Sequence, residues 1–191
     1  MGVMDDAERF EPDDLAAWSA WLREHHADTP GVWLVTRKAS SSPAFDYEAA
    51  VREALRWGWV DSTQRGVDEH RSMMWYAARR PGSVWTRNNK RRVADLENAG
   101  LMEPAGAAAV ASAQESGMWT LMDDVEDLVV PDDLAAALDA RPDARGHWDA
   151  FPPSVRKQAL AWIVLAKQPA TRARRVDDVA EKSALGERPR G

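Results

Sequence analysis

Ten of the fifteen aromatic residues in this chain are tryptophan, beside two tyrosines and three phenylalanines. A core that encloses so many indole rings around a small sheet is bulky and leaves room for a cleft. Their spacing says where they go. Trp18, Trp21 and Trp162 lie on helical apolar stripes and read as core. Trp33, Trp59 and Trp75 fall in segments whose alternation suits strands. Trp57 and Trp85 flank polar residues and are the tryptophans expected beside a ligand.

The elements follow from the same periodicities. Leu15, Trp18, Trp21 and Leu22 mark a helix over 13–25, with Glu11 as a poor cap. Val32–Arg37 reads as a strand, followed by a Ser-rich loop over Ala39–Pro43. Asp46 caps a helix that Gly58 ends. Trp59–Gln64 and Ser72–Arg79 read as two further strands joined by a short connection. Helices are expected from Thr86 to Ala99, from Pro104 to Gly117, through Leu134 and Leu138, from Pro152 to Ala166, and over 171–182. The resulting class is α+β: a small antiparallel sheet of about three strands packed by helices, with an all-helical C-terminal module. The division expected is an α+β domain over 1–122, an acidic linker with a short helix over 123–139, and the helical module over 140–191.

Composition excludes several chemistries. There is no cysteine, so disulfides, zinc–thiolate sites, iron–sulfur clusters and a thiol nucleophile are ruled out. His25 and His26 are adjacent, while His70 and His147 stand alone, so no metal-binding spacing occurs and no cofactor is expected. A net charge of −6 makes nucleic acid an unlikely partner and confines any polyanion contact to a local patch. The acidic N-terminus lacks a signal-peptide pattern, and no apolar run approaches the roughly 20 residues that span a bilayer, so cytoplasmic residence is expected.

Four stretches stand out in order: WGWVDS from Trp57, ARRPGSVWTRNN from Ala78, GLMEPAG from Gly100, and WIVLAKQPATRARR from Trp162. Together they resemble the YdeI/OmpD-associated family, named in connection with bacteriocin protection. The likeness runs from about Phe10 to Pro189, although Ala78 and Thr86 depart from the family pattern of Pro and Ser. It implies a stress- or protection-type binding protein, with the helical tail as the family's C-terminal module.

The residues themselves suggest an anion site. Arg79, Arg80, Arg87, Lys90, Arg91 and Arg92 crowd one stretch without an acid before Asp95, with Trp85 inside it. Guanidinium groups bind phosphate and carboxylate bidentately, indole offers a stacking face, and Ser83, Thr86 and Asn88 border a helix start that favours anions. The other reading of this stretch is a solvated helix face whose arginines pair with the acidic stretch. Asp61, followed by Ser62, is either a general base or half of a buried ion pair with Arg79 or Arg80. Lys167, Thr171, Arg172 and Arg175 form a second basic cluster, expected either to join the first or to stay as exposed helix ends. Three functions are consistent with this pattern. The first is a binding protein holding an anionic small molecule or a partner's acidic group. The second is an enzyme using Asp61, with arginines on an anionic substrate. The third is a single-stranded nucleic-acid binder that stacks bases on tryptophan.

Overall fold

The computed structural model describes residues 4–38, 40 and 45–189. Apart from Ser40, the Ser-rich loop expected over Ala39–Pro43 lies outside them, as do the last two residues of the tail. The chain divides into two compact units, one of Met1–Ser83 with Asn88–Gly117 and the other of Val84–Arg87 with Met118–Gly191.

The first unit is built on a four-stranded mixed sheet in the order β1-β2-β4-β3. β2 (Val32–Arg37), β3 (Trp59–Gly66) and β4 (Arg71–Ala78) form the antiparallel part that the alternation predicts. The fourth strand, β1 (Arg9–Phe10), pairs parallel to β2 and is too short to show a periodicity. The even-numbered residues of β2 and β4 face α1 (Leu15–His25) and α2 (Tyr47–Arg56). There Trp18 stacks on Trp21 at 5.5 Å, meets Tyr76 at 5.4 Å, and donates its indole N–H to the Ala50 carbonyl at 3.2 Å. The opposite face carries Trp33, Val35, Met73 and Trp75, with Met4 and Ala7 packed over it. The Trp33 indole donates to the Met4 carbonyl at 2.7 Å, so the N-terminal segment is tied to that face.

Helix starts follow local chemistry. Asp14, not Glu11, caps α1 by accepting from the Ala17 N–H at 2.8 Å, because its shorter side chain reaches the first turn. Asp46 caps α2 in the same way, through the Ala49 N–H at 2.7 Å. α3 (Arg87–Asn98) buries Val93 and Leu96, and α4 (Pro104–Glu115) buries Gly106, Val110 and Ala113.

The second unit is helical: α5 (Asp123–Glu126), α6 (Asp132–Asp139), α7 (Ala144–Ala150), α8 (Pro153–Val164) and α9 (Pro169–Ala184). Its core gathers Leu134, Leu138, Trp148, Leu160, Ile163 and Val179, and Val125 of the acidic stretch joins them. Pro169 opens α9, where its missing N–H is harmless, in addition to ending the helix before it. Among the described residues no helix is long and apolar enough to cross a membrane.

Candidate functional site

On the helix-facing side of the sheet a cavity of about 300 Å³ lies between β2, β4, β3 and the first turn of α2. Register dictates its floor. Thr36 pairs with Ser72 and Leu34 with Met74, so the two rows share one face, and Tyr76 lies two residues further along β4. A register shift between Asp61 and Gln64 brings β3 into the same arrangement. Residues three apart on a regular strand face opposite sides. Here Asp61 pairs with Tyr76 and Gln64 with Met74, both on the cavity face, because the bulge resets the alternation. Phe45, Asp46, Tyr47 and Ala50 close the cavity from the α2 side, and Arg37 and Lys38 stand at its β2 end.

Charge is unevenly distributed around this space. Lys38 donates its ammonium to the carbonyls of Asp68 and Glu69 at 2.8 and 3.1 Å, so its charge meets no carboxylate there. Arg37 is exposed and makes no ion pair among the described residues. Its cross-strand partner Arg71, by contrast, is held by Glu11 and Asp68, each at 2.7 Å. Among the described residues Asp46 is the one acid in the lining, and it is occupied by its helix cap.

At the other end sits a polar cluster. Tyr47 donates its hydroxyl to Asp61 at 2.7 Å. Burial, and then this hydrogen bond to a carboxylate, push the Tyr47 phenol up to about 12. Burial and the Asp61 charge raise Tyr76 as well, so both rings stay protonated at neutral pH. Arg79 is half-buried, and desolvation lowers it to about 10 against the opposing pull of Asp61. Arg92 grips Glu48 through both carboxylate oxygens at 2.5–3.1 Å and holds the Asn89 side chain at 2.8 Å. This bidentate pair keeps Glu48 below its ordinary range.

The residues singled out by sequence fall into both units. Trp57, Asp61, Ser62, Arg79, Arg80, Ser83 and Asn88 belong to the first; Trp85, Thr86, Lys167, Thr171, Arg172 and Arg175 belong to the second. The Trp57 ring lies tilted against His26 at 4.5 Å, and Ser62 and Arg80 are exposed. Asp61 is half-buried and reaches the cavity through Tyr47, without lining it directly. In the second unit Trp85 is 2% exposed and packs against Trp119 at 5.1 Å. The start of α3 is already served by the protein: the Arg87 N–H donates to Glu126 at 2.9 Å, and the Arg87 side chain pairs with Asp127 at 2.6 Å. Arg172 forms a fork with Asp133 at 2.8 and 3.0 Å, and Arg175 donates to the Trp162 carbonyl while lying 5.1 Å over its ring. Lys167 is exposed and Thr171 half-buried. No group of three or more metal-ligating side chains occurs among the described residues.

The cavity residues Arg37, Lys38, Tyr47, Gln64 and Tyr76 were not signalled by the basic clusters. Their one visible trace in sequence is the Arg-Lys pair that ends β2, far from any run of acids.

Two family matches cover most of the chain. Residues 10–109 match a domain of unknown function (DUF8412), and residues 127–186 match the family described as bacteriocin-protection, YdeI or OmpD-associated. Three of the four landmark stretches lie in the first match and the Trp162 stretch lies in the second. No curated protein and no solved structure matches.

Proposed function

Because the chain belongs to the DUF8412 family through residues 10–109 and is a YdeI/OmpD-associated protein through residues 127–186, we propose that it is a cytoplasmic binding protein of the protection type whose ligand is an anionic small molecule held in the cavity of the first unit. Arg37 carries this reading. It is a guanidinium at the end of a cavity with an apolar middle of Leu34, Met74 and Phe45, and it has no carboxylate partner among the described residues. Ligand sites are commonly such mixtures, mostly apolar with a few polar groups that fix orientation. Lys38 adds a second positive charge at the same end. Arg87, Arg92 and Arg172 have their charge matched by the protein's own acids, which leaves them less to offer a ligand. The apolar middle beside the cationic end suits a small molecule with an apolar body better than a bare acidic group presented by a partner protein.

Calorimetric titration with acetate, benzoate, 3-phenylpropionate and the uncharged 3-phenylpropanol tests the proposal. The aromatic acids are expected to bind and the alcohol to bind at least about tenfold more weakly, as loss of a charge-assisted contact implies. Arg37→Glu is expected to abolish the preference for acids. Absence of binding by every acid, or equal binding to the charge-reversed protein, contradicts it.

A further inference from the structure

We infer that the cavity selects an elongated monoacid whose far end carries a neutral hydroxyl, received jointly by Tyr76 and Tyr47; this rests on the anion-binding reading above and adds the chemistry of the second end. The floor runs polar, apolar, polar: Thr36 and Ser72 beside the cationic end, Leu34 and Met74 in the middle, Tyr76 beyond. Ser72 and Tyr76 are four residues apart on one strand, about 13 Å between Cα atoms. Side chains reach inward from both ends, so the space suits one ring with a short chain.

Tyr76 supplies the independent observation. It is 1% exposed, it lines the cavity, and its hydroxyl has no hydrogen-bond partner among the described residues. The hydroxyl is not among the fully sealed polar atoms that lack a partner, so it opens on the cavity, where a ligand oxygen can meet it. Tyr47, also in the lining, has its proton directed at Asp61, so its oxygen remains only as an acceptor. One donor and one acceptor together complement a hydroxyl, which accepts from Tyr76 and donates to Tyr47. A carboxylate is unsuited to this end, because it cannot donate and because Asp61, which accepts from Tyr47 and pairs across the strands with Tyr76, already supplies a negative charge nearby.

The probes are 3-(4-hydroxyphenyl)propionate, 3-phenylpropionate and 3-(4-carboxyphenyl)propionate, titrated by calorimetry into the full chain and into Tyr76→Phe. The phenol-to-phenyl change keeps the ring in place, and near-ultraviolet circular dichroism checks that it does. The hydroxy acid is expected to bind the wild type about tenfold tighter than the unsubstituted acid, with the diacid weakest, and its advantage is expected to shrink to roughly twofold or less in Tyr76→Phe. Equal binding of the hydroxy and unsubstituted acids, a diacid that binds tightest, or a hydroxyl preference that survives Tyr76→Phe overturns the assignment and leaves the anion reading standing. Binding by none of the three overturns both. Should Tyr76→Phe fail to fold, the order of the three acids on the wild type decides alone.

Discussion

Gly106 determines how closely α4 approaches α2. A Cβ at this position would meet the Arg56 carbonyl oxygen at 2.2 Å and the Leu55 carbonyl oxygen at 2.9 Å, and backbone atoms inside a helix cannot step aside. Gly106→Ala is therefore expected to destabilise the protein by about 1–3 kcal/mol through overpacking, read as a lower urea midpoint. Gly82→Ala is the matched control, since its Cβ meets nothing within 4 Å; it is expected to change stability by less than about 0.5 kcal/mol. The same contact explains a stretch that sequence reading marked without a role. Pro104 opens α4, Glu103 takes the Arg56 guanidinium at 3.0 Å, and Gly106 lets the two helices close. Arg56 also donates to Glu53, a buried carboxylate that accepts from Ser19 at 2.6 Å, so one guanidinium ties α2 to α4 and, through Glu53, to α1. Sequence reading did not single out this arginine, because its partner Glu103 lies 47 positions away.

At the scale of elements, strand and helix periods were readable wherever one face is buried. β2 was legible from Val32 to Arg37, and the helix after Asp46 from its cap onward. What escaped was set by local exceptions to period. β1 has two residues, α7 follows a left-handed Asp143, and the bulge in β3 places Asp61 and Gln64 on one face. The acidic stretch 123–139 reads as linker by charge, yet Val125, Leu134 and Leu138 carry it into a core. The β3–β4 turn gives a prediction at this scale. Asp68 accepts from the backbone N–H groups of His70 and Arg71 at 2.9 and 2.8 Å and from the Arg71 side chain at 2.7 Å. The Arg71 hydrogen bond chiefly holds its carboxyl at about 2, below the ordinary 3.8. A carboxyl depressed in the folded state stabilises the fold above its unfolded pKa and loses that effect as pH falls through the folded one. The turn's contribution is thus expected to be full above about pH 4 and to fade toward pH 2. Asp68→Asn should flatten that limb of the stability–pH curve, and an unchanged limb would show that the turn does not depend on the charge. Replacing Asp14 with Ala should cost about 1 kcal/mol by uncapping α1, whereas Glu11→Ala at the position first read as the cap should cost no such loss of helix stability.

For the molecule as a whole, a net charge of −6 repels anions at long range, so an anion must be captured by local cations and binding should weaken only modestly with salt. Ligand at a hundred times its dissociation constant should stabilise the fold by about 2.7 kcal/mol, visible as a rise in melting temperature. The division of basic residues between two units bears on which cavity is filled. The second unit has its own space of about 270 Å³, lined by Asp133, Pro169, Arg172 and Val176, but its arginine is already matched by Asp133. Location is therefore the sharpest discriminator. Intermolecular nuclear Overhauser effects from the ring protons of 3-phenylpropionate to the protein's methyl groups measure it directly. Cross-peaks to the Met74 methyl and the Leu34 methyls are expected; cross-peaks to Val176 in their place, or to no methyl group of the sheet, would contradict the cavity of the first unit as the binding site.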